Sequence, residues 1–331
     1  MKKLLALLLV IALAIPFAAC STASDGDTAT TTAAPTVDDT TIRVAVLNGT
    51  TGFGIAPLVS DLKNNKCDFK ATVDFYADAT LVAPLLINGS VDIAAVPTNL
   101  AATVYNKTQG KVEVLAVNTL GVLYLLENGE SVKSLADLEG KTVYVPGQGT
   151  NPEFVLRALL NYAGLTDKVT IDYTYQSPDE LTAAMATGKA AIGLLPEPKV
   201  TAAKLKNASL RVAVDFSAEW KRLTGTELVQ GCLVARKDFV DAHEALASKF
   251  LAAYEASVNT VVTDVDTAAK LIVEAGIAPQ EALVKNALPR CNITYLTGEE
   301  MKSALNEFWS ALYGIVPTSI GGKLPDSGIF G

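Results

Sequence analysis

Residues 134–151 read Ser134-Leu135-Ala136-Asp137-Leu138-Glu139-Gly140-Lys141-Thr142-Val143-Tyr144-Val145-Pro146-Gly147-Gln148-Gly149-Thr150-Asn151. Lys141–Val145 has the length and apolar content of a buried strand, and the glycines at 147 and 149 turn it into a loop. Asn151 stands before Pro152, so an acceptor side chain precedes a residue that needs no N–H, which reads as an N-cap and the first position of a helix. Strand, glycine loop, helix is the unit from which parallel sheets with helices on both faces are built. The same unit occurs upstream, where a strand at Ile42–Leu47 runs into Asn48-Gly49-Thr50-Thr51-Gly52-Phe53-Gly54 and a helical pattern begins at about Gly54.

Working outward, Phe69–Tyr76, Val91–Val96 and Val112–Val117 read as further strands of a first series, with helical segments from about Ala79 and Pro97 between them. After Lys141–Val145 the second series continues with Lys168–Tyr175, Ala190–Leu195 and Leu210–Val214. Ser177-Pro178-Asp179-Glu180 has the spacing of a capping box, as do Thr297 and Glu300. One more strand at about Gln230–Ala235 precedes Phe239–Gly314, which is nearly all helical pattern. Two α/β lobes and a helical C-terminal block follow from this order.

Composition narrows the function. The 331 residues are 50% hydrophobic and 19% charged, enough to bury a large core, and the net charge of -8 opposes binding that depends on neutralising nucleic-acid phosphates. A single histidine, His243, leaves almost no material for His-based metal sites or Ser-His-Asp triads, and its acidic neighbourhood marks it as a solvated surface residue. No G-x-S-x-G elbow is present either.

The N-terminus reads as an export signal. Lys2 and Lys3 precede an apolar run, Leu4–Ala19, of about 16 residues, short of the roughly 20 that cross a bilayer as a helix. Phe17-Ala18-Ala19-Cys20 resembles a bacterial lipobox, which implies a lipoprotein signal peptide over 1–19 and lipid attachment at Cys20. Residues 20–41 are then a Thr-, Ala-, Ser- and Asp-rich tether too polar to offset its conformational entropy by burial.

Six segments together resemble the solute-binding proteins of bacterial ABC importers, in the SsuA/THI5-like (NMT1-like) group that serves sulfonates, nitrate and thiamine precursors. They are Val44–Gly49, Asn88–Ala94, Ser134–Val143, Gly147–Thr150, Leu181–Gly188 leading into Ala190–Gly193, and Glu197-Pro198. The resemblance covers Ile42 to about Phe239 and implies a two-lobe, type II periplasmic-binding-protein-like α/β fold with mostly parallel sheets and crossover strands near Leu123–Asn128 and Gln230–Ala235. It sets the expected lobes at 42–128 plus 231–331 and at 129–230. Read from its residues, Asn88–Ala94 is a helix-ending glycine, a turn and a buried strand, so Asp92 is scaffold.

Ligands of open α/β sheets bind at the carboxyl ends of the strands. That rule selects Asn48, Gly49, Thr50, Thr51 and Phe53 in the first loop, Pro97, Thr98 and Asn99 after the third strand, and Thr119 and Gly121 after the fourth. In the second lobe it selects Gly147, Gln148, Gly149, Thr150 and Asn151, with Glu197 held between two prolines as a carboxylate for a cationic or N–H-rich ligand. Phe53, Tyr76, Tyr124 and Phe154 lie near strand ends and could stack a flat heterocycle. No arginine falls in these loops, which places a heteroaromatic, pyrimidine-like solute ahead of a sulfonate- or nitrate-like one. Cys67, Cys232 and Cys291 allow three pairings; Cys232 on the return strand with Cys291 after the helical block is the expected disulfide, leaving Cys67 free.

The resulting expectation is an extracytoplasmic, membrane-anchored, monomeric binder that hands a small solute to an ABC permease and its ATPase, without catalysis, metal or cofactor. Two other readings stay open: an enzyme resembling yeast thiamine-pyrimidine synthase, whose histidine and iron chemistry this chain scarcely supplies, and a tethered accessory binder without a transporter of its own.

Overall fold

The apolar runs condense into two sheets in the computed structural model, which describes residues 38–331. The expected signal peptide, the Cys20 anchor and the tether up to residue 37 lie outside the described residues. The first series of strands is β1 (Thr41–Leu47), β2 (Lys70–Tyr76), β3 (Ile93–Pro97) and β4 (Val112–Leu120). There follow β5 (Leu123–Asn128), β6 (Thr142–Tyr144), β7 (Thr170–Asp172), β8 (Ile192–Pro196) and β9 (Leu210–Asp215), then β10 (Val229–Arg236) and β11 (Ile293–Leu296). Between the strands of the first half run α1 (Thr50–Phe53), α2 (Ala56–Lys63), α3 (Val82–Ile87) and α4 (Thr98–Thr108). The second half carries α5 (Asn151–Tyr162), α6 (Pro178–Ala186), α7 (Lys199–Lys206) and α8 (Phe216–Thr224), and the C-terminal block α9 (Lys237–Ala242), α10 (Glu244–Thr263), α11 (Val265–Glu274), α12 (Glu281–Ala287) and α13 (Gly298–Ile315).

The first sheet is ordered β11-β4-β10-β3-β1-β2 and the second β9-β5-β8-β6-β7. Apart from β11 the two orders are the same: a fourth strand, an antiparallel strand, then the third, first and second strands of a parallel set. The antiparallel member of each sheet is the one next to the crossing. β5 pairs with β8 from Leu123↔Pro196 to Glu127↔Ile192, so Leu123–Asn128 belongs to the second sheet, not to the first lobe as its sequence position suggested. The chain therefore crosses at Gly121-Val122 and returns through residues 225–228, and Gln230 sits in β10 of the first sheet. The first crossing is a two-residue connection between β4 and β5 and the second a four-residue connection from α8 to β10; pairing of the strands themselves stays within one sheet.

Burial explains the register. β3 and β10 are apolar and buried on both faces, as a central strand covered by helices must be. Asp92 is 3% exposed and accepts from the backbone N–H and guanidinium of Arg43 at 2.9 and 2.5 Å, so it ties β1 to the entry of β3 at the edge away from the strand ends where ligands bind, in keeping with its reading as scaffold. The helical block is shared. α10 and α11 pack on α2, whereas α13 places Phe308 against Trp220 of α8 (centroids 5.2 Å apart) and donates from Trp309 Nε1 to the Thr98 carbonyl at 3.1 Å. Both sheets thus contribute to one continuous core through α13.

Two local expectations are corrected. The three cysteines among the described residues, Cys67, Cys232 and Cys291, are free: Cys232 is buried in the core between sheet and α4, Cys291 lies in a separate cluster around α11 and α12, and its Sγ donates to the Ala287 carbonyl at 3.2 Å. At the helix starts, Thr150 rather than Asn151 is the N-cap of α5, and Thr297 begins α13 without the expected side-chain cap, while the Ser177–Glu180 capping box is formed.

Candidate functional site: the facing strand ends

β4 leaves the first sheet at its carboxyl end and two residues later β5 starts, at the end of the second sheet where β8 finishes. β9 likewise ends at the edge from which the chain returns to begin β10, opposite Pro97 at the end of β3. Because both crossings join carboxyl edges, those edges face each other, and the helix starts that follow β1, β3, β6 and β9 converge on the space between them.

On the first edge, Asn48 is exposed with its N–H on the Tyr76 carbonyl, and Gly49 takes a φ of +98°, which a side chain would resist. Thr50 and Thr51 are buried in the single turn α1, and a Cβ on Gly52 would come within 2.4 Å of the Leu47 carbonyl oxygen. Phe53 is wholly buried among Ala56, Val261 and Ile272, so it packs core and is not a stacking platform. Thr98 Oγ1 donates to the Val229 carbonyl at 2.8 Å and Thr119 Oγ1 to Asn118 Oδ1 at 3.1 Å, so the proton of each hydroxyl is spent within the fold, and both residues are wholly buried. Asn118 in turn donates to the Thr51 carbonyl and to Tyr254 Oη, at 3.2 and 3.0 Å, and Gly231 gives this network room, since a Cβ there would meet Asn118 Oδ1 at 2.6 Å.

On the second edge, Gly147 and Gly149 have φ of +70° and +76°, and the hydroxyl of Thr150 closes the loop onto the carbonyls of Pro146 and Gly147. Gln148 is exposed. Glu153 accepts from the Gly149 N–H at 2.5 Å, Arg157 Nε at 2.6 Å and Tyr173 Oη at 2.7 Å. Burial alone would raise its pKa, and those three donors outweigh it, holding the carboxyl below its ordinary range. Glu197 is not available for a ligand. Its wholly buried carboxylate takes Arg290 Nε at 2.7 Å and the Thr201 hydroxyl at 3.0 Å, while Arg290 Nη2 reaches Thr201 Oγ1 at 2.7 Å and the Arg290 carbonyl accepts from Tyr124 Oη at 3.0 Å. Tyr124 is therefore a buried strut, its hydroxyl pKa pushed up by burial, and Tyr76 and Phe154 are half-buried against the core. Gly121 is required for close approach: a Cβ there would lie 2.2 Å from Ser217 Oγ and 2.7 Å from Leu228.

What remains unspent are buried polar groups. Both side-chain atoms of Asn151, Asn99 Oδ1, Gln230 Oε1, Ser217 Oγ and Ser319 Oγ have no hydrogen-bond partner. Asn151 opens α5, Asn99 α4 and Ser217 α8, and Gln230 opens β10, so both facing edges contribute. Such groups cost about 1–3 kcal/mol each when left unpaired. Asn99 and Asn151 were selected from sequence; Gln230 and Ser217 were missed, although Gln230 interrupts the otherwise apolar stretch from Val229 to Ala235 in β10. Among the described residues no group of three or more His, Cys, Asp or Glu could hold a metal ion.

Two like-ordered sheets joined by crossings at facing carboxyl edges define the two-lobed class of periplasmic binding proteins, and the solved structures agree. An ABC transporter structure from Parabacteroides distasonis is 28% identical with a TM-score of 0.74, covering 88% of this chain and 99% of that one. The aliphatic sulphonate binding protein SsuA from Escherichia coli aligns at 17% identity and a TM-score of 0.68, over 85% of this chain and 95% of its own. The alkanesulfonate-binding protein SsuA from Xanthomonas axonopodis pv. citri bound to MOPS does so at 16% and 0.65, over 86% and 94%. The chain belongs to the menaquinone biosynthesis family, which matches residues 54–314. No curated protein matches.

Proposed function

We propose that this protein is the extracytoplasmic solute-binding component of an ABC importer, which captures a small polar solute between lobes 38–121 plus 229–331 and 122–228 and presents it to a permease and its ATPase. The observation that carries the reading is the set of buried, unpartnered polar groups at both facing edges, which a bound solute would satisfy. Closure about the crossings at Gly121-Val122 and 225–228 is the motion that periplasmic binding proteins use. Export through a signal peptide at 1–19 and a lipid on Cys20 completes the reading. The family's description names a biosynthetic process, and chemistry in the cleft would need an ionisable group free to reach the solute. The carboxylates at the second edge are committed: Glu153 to Arg157 and Tyr173, Glu197 to Arg290, and Asp215 to the amides of Ser217 and Ala218. That arrangement supports capture without turnover.

The test is mass spectrometry of small molecules released from freshly purified, denatured protein. A stoichiometric compound that rebinds unchanged supports the proposal. Release of a compound that the protein converts on rebinding, or no compound at all from wild type and from an Asn151→Ala, Gln230→Ala variant alike, counts against it.

A further inference from the structure

We propose that the turn from Leu288 to Asn292 is a third, noncovalent crossing between the lobes, a pin on the hinge about which they close, and that Arg290 is the positioning residue that limits how far the empty protein opens; this rests on the closing motion in the reading above. The two covalent crossings lie against each other, since a Cβ on Gly121 of the first would meet Leu228 of the second at 2.7 Å, and the axis of rotation passes where they touch. The turn sits on that spot. Asn292 Nδ2 donates to the Gly121 carbonyl at 2.5 Å, and the Asn292 carbonyl accepts from the Leu120 N–H at 3.0 Å, so this residue holds the end of β4 in the first lobe. Two residues earlier the allegiance changes. Arg290 Nε donates to Glu197 at 2.7 Å, its Nη2 to the Thr201 hydroxyl at 2.7 Å, and its carbonyl accepts from Tyr124 Oη at 3.0 Å, all three partners belonging to the second lobe. The Glu197 N–H in turn donates to the carbonyl of Val122, the neighbour of Gly121, at 3.0 Å. Asn292 takes a φ of +43°, a left-handed conformation that asparagine tolerates better than most side chains, so the chain bends sharply just where the bonds to the two lobes part.

Bonds this near the axis change length little when the lobes rotate, so they guide the motion and resist displacement in other directions. Another contact of the C-terminal block across the lobes, Phe308 of α13 on Trp220, is apolar and can slide as packed helices do. Directional restraint therefore falls to Arg290, whose partner Glu197 is wholly buried and cannot turn to water instead.

The experiment needs no solute. In the full chain with Cys20→Ser and Cys67→Ser, spin labels are placed by Ala77→Cys and Thr174→Cys, exposed positions that follow β2 and β7, the strands three places from β10 and from β5, and double electron–electron resonance gives the distribution of distances between the lobes. Arg290→Met should make that distribution about twofold wider in the empty protein, with a smaller widening in Tyr124→Phe and in Thr201→Val. Arg211→Met serves as the control: it removes the partner of buried Glu127 inside the second lobe, and should lower the urea midpoint while leaving the width as in wild type. Should Arg290→Met fail to fold, the two milder variants decide. An unchanged width in the variants at 290, 124 and 201, or an equal widening in Arg211→Met, overturns the pin. The binding reading stands or falls separately, on whether a compound is released from the wild type.

Discussion

Asn151 shows how a single residue can be expensive in one state and useful in another. With two unpartnered polar atoms in a buried site, it costs the empty protein stability that a solute hydrogen-bonded there, as proposed, would return. Asn151→Leu should leave the apo melting temperature unchanged or raised while weakening solute binding by about 0.5–1.5 kcal/mol per hydrogen bond lost, read by calorimetry beside a thermal melt. Glu153, two positions on, is tied to pH. Its folded pKa is depressed, as is that of Glu127, where burial is outweighed by bonds from Ser131 and Val132 and by Arg211. A depressed carboxylate pKa gives stability that is complete above the unfolded value and lost as pH falls through the folded one, so urea midpoints should drop below about pH 4.3. Glu153→Gln should lower the midpoint at pH 6 and shrink the drop between pH 6 and 3. Sequence pointed to Asn99 and Asn151 because each follows a strand at a helix start. It could not reveal that Thr98, Thr119 and Thr150 spend their hydroxyls on backbone or neighbours, since those partners come from folding.

Elements carry the next level of argument. The turn Leu288–Arg290, between α12 and β11, reaches from the helical block to the end of β8 and locks Glu197 there. Breaking a buried pair by removing one partner costs several kcal/mol, and allowing for the 37% exposure of Arg290 the figure for Arg290→Met or Glu197→Leu is about 2–4 kcal/mol. The double variant should recover part of that loss, because no charge is then left buried alone; denaturant unfolding of all three would show it. The strands were legible because each is a short apolar run with turn residues on both sides, yet the sheet to which Leu123–Asn128 belongs was not. Order along the chain suggests the first lobe, and only the partners β8 and β9 assign it to the second. The cysteines teach the same point from the other side. Compartment and count favoured a pair, but Cys232 and Cys291 occupy different clusters, so a reducing agent should leave the melting temperature of the protein unchanged.

For the molecule as a whole, the two lobes differ in when they can be completed: the second, 122–228, holds every strand of its own sheet, whereas the first needs β10 from beyond the return crossing. β5 is made before β6–β9, so when β9 has emerged the second sheet has every strand it will have. The first sheet at that moment has β1 to β4 but an empty lane between β3 and β4, which β10 fills from Val229, 109 positions after β4 ends at Leu120. Loop closure over that span is slow compared with local pairing. Pulse-labelled hydrogen exchange during refolding should protect β5, β8 and β9 before β3 and β4, and simultaneous protection of both sheets would refute this. In a cell that threads the chain outward from its N-terminus, the half that emerges first is the half that finishes last, leaving two open strand edges for a holdase to shield until residue 229 has passed the pore.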